Sequence, residues 1–232
     1  GTGKGFAYQE FLDQLGAFLG PVILFVISLI KGTGNLFHTY RLCFLVLGIP
    51  ALITIALVVF SKIKYPNPEM FEQAEEEPAE FRFQKSFVFY MIAICLFAFG
   101  FADFTLITLH AAKMQAFPAA TLSLLYAAAM AVDAVAALFF GWLFDRIGLK
   151  ALMLSTLCSA VFSCFVFLTG NPAMIAVGIV LWGVGMGAQE SIMKAAVSQI
   201  IPKSMRSTGF GIFETGFGIA WFLGSWLLGY LY

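Results

Sequence analysis

The chain has 232 residues, of which 61% are hydrophobic and 11% charged, and its mean hydropathy is +0.92. A soluble domain carries about 25% charged residues, so the composition excludes a globule covered by water. The net charge is zero and no basic cluster is present, which argues against a nucleic-acid partner.

Seven apolar blocks follow along the chain, at roughly 9–30, 42–61, 86–109, 119–143, 150–169, 173–197 and 209–231. Each is long enough to cross a hydrocarbon core of about 30 Å at about 1.5 Å per residue. Lipid offers no hydrogen bonds to an open backbone, so these blocks are predicted to be helices. The expected fold class is all-α, a polytopic helix bundle in a lipid bilayer. Turn residues mark the breaks: Lys31-Gly32-Thr33-Gly34-Asn35, Phe117-Pro118, Gly170-Asn171-Pro172 and Ile201-Pro202. The one long polar stretch, Lys62 to Lys85, contains Glu75-Glu76-Glu77 and reads as a solvated linker.

Lysine and arginine set the orientation. Lys4, Lys62, Lys64, Arg82, Lys85, Arg146, Lys150, Lys203 and Arg206 gather at one side, against Lys31, Arg41 and Lys113 at the other. The richer side is therefore expected in the cytoplasm. Cys43, Cys95, Cys158 and Cys164 lie inside apolar blocks and read as small packing residues. No sequence cluster has metal-ligand spacing, and no cofactor is implied. No signal peptide is visible. The chain starts at Gly1 rather than at methionine, which suggests processing or a fragment.

A repeat appears at an offset of 204. Gly5, Phe6, Glu10, Phe18, Leu19 and Gly20 match Gly209, Phe210, Glu214, Phe222, Leu223 and Gly224. It implies a unit of about six helices, an arrangement found in secondary transporters.

Between blocks four and five stands GWLFDRIGLK, Gly141 to Lys150. Gly141 would let a helix approach closely, and Asp145 could accept bonds from free N–H groups at a helix start. Gly148 would permit a tight turn, while Arg146 and Lys150 would hold the loop at the cytoplasmic face. The segment resembles the signature loop G-x-x-x-D-R-x-G-x-[RK] of the major facilitator superfamily. Ala151 departs where the family often has a second basic residue. GFADFTLITLH, YAAAMAVDAVAALFFGWLFDRIG and GMGAQESIMKAAVSQIIPKSMRSTGFGIFETGFG resemble an uncharacterised prokaryotic branch of that family.

The resemblance implies that residues 1–61 are the last two helices of an N-terminal bundle. Residues 62–85 would then be the central cytoplasmic loop, and 86–232 five of the six helices of a C-terminal bundle. The seven spans would be helices five to eleven of twelve, with one to four and twelve absent, so this chain alone is not expected to transport. The family's loop latches one half to the other in the outward-open state. By that likeness Asp145 would face Lys4 to Tyr8, and Arg146 could pair with Glu10. Gly16-x-x-x-Gly20-Pro21 is similar to the family's antiporter-type motif, although Ala7 and Leu24-Phe25 replace its other glycines. A helix-packing face with a proline kink is the alternative reading of Gly16, Gly20 and Pro21.

Ionisable groups at membrane depth are costly and mark functional candidates. Asp103, Asp133 and Glu190 are the candidates here, each inside an apolar block. A carboxyl held away from water can load and release a proton, so these residues could couple transport to protons or bind a cationic solute. Each has a structural alternative. Glu190 could pair with Lys194 at i,i+4, Asp103 could bond Thr105, and Asp133 could face the other half. Glu10, Asp13 and Glu214 read as helix-end acids, and His110 and His38 as solvated outer residues. Gly183, Gly185 and Gly187 form a small-residue stripe suited to close packing or sliding.

The family likeness implies secondary active transport of a small solute by alternating access. The protein would be a monomer in the cytoplasmic membrane, without enzymatic activity. A seven-span receptor or a membrane-embedded enzyme is the alternative. The last block holds no lysine for a retinal Schiff base, and no protease signature accompanies Asp103 and Asp133.

Overall fold

A computed structural model describes residues 2–31, 36–67, 84–202 and 205–232. Most of the predicted linker, the predicted turn at 32–35 and Lys203 lie outside the described residues. Eight helices account for nearly all of the rest: α1 (Thr2–Lys31), α2 (Leu36–Lys64), α3 (Lys85–Gly100), α4 (Phe104–Lys113), α5 (Ala119–Ile147), α6 (Lys150–Phe167), α7 (Pro172–Ile200) and α8 (Arg206–Leu231). No strand occurs among the described residues. Seven stretches are long and apolar enough to span a membrane, with α3 and α4 together making the third, Lys85–Lys113.

That third span is where the structure departs from one continuous helix. The chain leaves helical geometry at Phe101 (ψ 116°) and re-enters at Asp103 (ψ 150°). Two side chains satisfy the opened backbone. Trp182 Nε1 donates to the Ala102 carbonyl at 2.9 Å, and Asp103 Oδ1 accepts from Thr105 N at 2.9 Å and from the Thr105 hydroxyl at 3.1 Å. A broken helix is tolerated at membrane depth only where the freed groups are paired in this way. Length and hydropathy did not show the break, because α3 and α4 join without a polar loop and together read as one apolar span.

Helix ends follow local chemistry. Asn171 caps α7 by accepting from Ala173 N at 2.9 Å, with Pro172 in the first turn. Gly148 ends α5 at φ +62°, donating its N–H to the Phe144 carbonyl at 2.8 Å. A side chain would be strained at that φ. α1 begins at Thr2, well before its apolar block, because its first turn docks on the end of α5.

Packing centres on α5, which lies between α1 and α7; α6 covers α7, and α3 pairs with α8. Between apolar helices in lipid, association depends on van der Waals contact, so small residues at the crossings matter. A Cβ on Gly183 would lie 2.6 Å from the Ala129 carbonyl, and one on Gly187 would strike the Asp133 backbone and carboxyl. A Cβ on Gly141 would lie 2.7 Å from the Gly3 carbonyl and collide with Ala7. The backbones of α1, α5 and α7 therefore touch. Around them lie two apolar clusters, one with Phe87, Phe140, Phe144, Ile192 and Phe213, the other with Phe101, Ile107, Phe162, Ile179 and Trp182. By contrast, residues 51–64 of α2 are exposed throughout.

Gly16 and Gly20 do not make the expected packing contact among the described residues: a Cβ at either would meet no atom within 4 Å. Replacing Gly183 by Val is expected to destabilise the bundle by about 1–3 kcal/mol through overpacking. Gly211→Val, where a Cβ meets open space, should leave the melting temperature unchanged. Thermal unfolding in detergent checks the pair, and equal melting of the two variants would contradict the crossing.

Candidate functional site: a buried carboxyl cluster between helices

Glu10, Asp133 and Glu190, from α1, α5 and α7, each present a carboxylate oxygen within 4.8 Å of the others. Asp133 is fully buried and Glu10 is 4% exposed, while Glu190 is half-buried. At 1.5 Å per residue, they stand about 12–21 Å in from the basic end of the bundle. Gln14, one turn beyond Glu10, lies between two of them. Its Nε2 donates to Glu10 Oε1 at 2.7 Å and to Glu190 Oε2 at 3.1 Å. Lys194 Nζ sits 3.7 Å from Glu10 Oε2. Both oxygens of Asp133 and the Gln14 Oε1 are buried without a hydrogen-bond partner.

The glycine crossings produce this arrangement. Gly187 has no side chain, and the space it leaves is where the Asp133 carboxyl packs. Gly3 and Ala7 meeting Gly141 bring α1 close enough to α5 for Glu10 to reach the same space. Fully ionised, the three carboxylates would exceed the one neighbouring ammonium by two negative charges at membrane depth. Such an excess is costly unless protons or other cations offset it.

The sequence candidates sort differently here. Asp133 and Glu190 meet; Asp103 is elsewhere, as the cap of α4. Glu10 is no helix-end acid, because α1 starts eight residues earlier and buries it. Lys194 pairs with Glu10 on α1 instead of with Glu190 on its own helix. Arg146 does not reach Glu10; its guanidinium lies over the Trp142 ring, 4.1 Å from the centroid. Asp13 and Glu214 are exposed. His110 is not solvated. It is 7% exposed, and its Nδ1 lies 2.8 Å from the Tyr232 hydroxyl.

Asp145 sits at the basic end of the same α1–α5 contact. Its Oδ1 accepts from Gly3 N at 2.9 Å and its Oδ2 from Lys4 N at 3.1 Å. A carboxylate is thereby placed on the free N–H groups and positive dipole of the α1 N-terminus. Distinct from the cluster, a cavity of about 640 Å³ opens between α3, α4, α6 and α8, lined by Phe101, His110, Thr156, Ser159, Ser163 and Tyr232 among others. None of the three clustered acids lines it.

Seven apolar stretches of membrane-spanning length among the described residues mark an integral, multi-pass membrane protein. The sequence profile of the Major Facilitator Superfamily matches residues 2–225, and the chain belongs to that family of membrane transporters. Uncharacterised proteins of Mycobacterium bovis and of two Mycobacterium tuberculosis strains are each 33% identical to it over 238 residues. The chain is covered completely in each case and spans 57% of the relative's length. No solved structure matches it at a significant level.

Asp145→Ala is expected to cost about 1 kcal/mol, the ordinary value of a lost N-terminal cap. Amide hydrogen exchange at Gly3 and Lys4 should quicken, while exchange in α7 stays as it was. Unchanged exchange at Gly3 and Lys4 would show that Asp145 does not hold α1.

Proposed function

We propose that the chain is part of a secondary active transporter that moves a small solute by alternating access. In this reading residues 1–61 belong to one moving half, residues 86–232 to the other, and the Glu10–Asp133–Glu190 cluster couples their motion to protons. The observation that carries the proposal is the position of the cluster. Glu10 comes from one half, Asp133 and Glu190 from the other, so the three acids meet on the surface along which the halves would part.

The physical cycle follows from charge. With protons bound, the cluster loses its self-repulsion and the halves can close over it. Losing the protons restores the repulsion and favours parting. The groups that face this exchange are Glu10 from α1, Asp133 from α5, and Glu190 and Lys194 from α7. Tyr126 of α5 stands within electrostatic reach of Asp133 and Glu190. Asp145 on the α1 N-terminus would hold the basic end shut until the cluster changes charge. The concentration of lysine and arginine at that end supports a cytoplasmic location for it, and hence residence in the cytoplasmic membrane.

The test is uptake of a panel of radiolabelled solutes into proteoliposomes holding the complete gene product that carries this chain. An inward proton gradient is expected to drive accumulation of one solute class. Asp133→Asn and Glu190→Gln should each abolish gradient-driven accumulation yet leave solute counterflow intact. Accumulation that persists in both variants would separate the cluster from coupling.

A further inference from the structure

We infer that the Glu10–Asp133–Glu190 cluster is also a binding site for a hard metal cation of sodium or calcium size. The inference rests on the transporter reading only for its biological meaning; the binding itself stands on the donors.

The donor set is entirely oxygen. Three carboxylates converge from three helices with the Gln14 amide beside them, and no histidine or cysteine is among the grouped donors. Hard cations take such donors, whereas zinc and copper favour nitrogen and sulfur. The spacing agrees. Calcium binds oxygen at about 2.3–2.6 Å, so two ligands on opposite sides of one ion stand about 4.6–5.2 Å apart. The three carboxylate oxygens lie no more than 4.8 Å from one another, close enough for all three to reach one such ion. Magnesium requires about 2.0–2.1 Å and gives up its water reluctantly, so a buried site made of protein oxygens suits it less.

A second observation points to a ligand independently of the acids' proximity. Asp133 is fully buried, yet neither of its oxygens has a hydrogen-bond partner. Gln14 is 8% exposed, and its Oε1 is equally unpaired while its Nε2 bonds two of the three acids. Buried acceptors are ordinarily satisfied. Rotation of the Gln14 amide by half a turn would present Oε1 to an ion that has taken the place of the Nε2 donor. Charge agrees as well. Lys194 offsets one of the three carboxylates, and the remaining two negative charges match one divalent ion, or one monovalent ion and a proton.

The experiment uses the complete gene product carrying this chain, purified in detergent. Its melting temperature is measured in choline chloride and then with sodium, calcium or magnesium chloride at equal ionic strength. Sodium or calcium should raise it saturably, by about 3 °C at a hundredfold excess over Kd for a protein of about 400 residues, and magnesium should raise it less. The arm that responds identifies the ion. Retention of ²²Na⁺ or ⁴⁵Ca²⁺ by the protein gives a direct reading that needs no variant. Asp133→Asn, and separately Glu10→Gln, should abolish both signals. No retention of either isotope, or retention undiminished in both variants, would overturn the proposal. The coupling reading fails separately: proton-driven uptake without ion binding would sink the metal site alone, and ion binding without proton-driven uptake would sink proton coupling alone.

Discussion

The contact of α5 with α1 on one side and α7 on the other governs what else this bundle can do. Lipid gives apolar helices little reason to associate beyond shape and dispersion. Here the shape comes from glycine: Gly3 and Gly141 at one crossing, Gly183 and Gly187 at the other. Backbones that touch can deliver short side chains such as Asp133 to a shared interior point. Larger residues at those glycines would hold the helices apart and leave the acids separate.

The same closeness sets the electrostatic problem. Glu10, Asp133 and Glu190 are concentrated where water is scarce, with Lys194 as their one counter-charge among the described residues. A purely structural cluster would be expected to pair every acceptor, since an unsatisfied buried network is worse than an apolar one. Asp133 is instead left with two free oxygens. That incompleteness is the physical reason to read the cluster as a place where cations come and go, and the two halves as parts that respond. At the basic end, Asp145 adds a contact of a kind that can break and re-form: two hydrogen bonds to N–H groups at the first turn of α1.

Much of the architecture was legible in the sequence, because membrane spans are written in length and hydropathy. The seven spans and the GWLFDRIGLK loop needed nothing else. Asp133 and Glu190 could be singled out because a charge inside an apolar block is conspicuous. Glu10 was misplaced because it precedes the strongly apolar part of α1, where a helix end and a docked helix look alike. Gln14 carried no charge to draw notice, although its i+4 relation to Glu10 was readable. Asp103 shared the intramembrane signal of Asp133, but its role depended on a helix break that hydropathy does not encode. The partner of Lys194 was a matter of tertiary geometry, since i,i+4 spacing permits a pair with Glu190 without requiring one.

The central claim is that the carboxyl cluster straddles an interface that opens. Electron–electron resonance distances between spin labels at Tyr8 and Leu149, both exposed near the basic end, test it most directly in the complete gene product in lipid. Two distance populations whose ratio shifts with pH or with added cation are the predicted result. A single distance, unmoved by either, would mean that α1 and α5 stay locked and that the cluster is a fixed structural element.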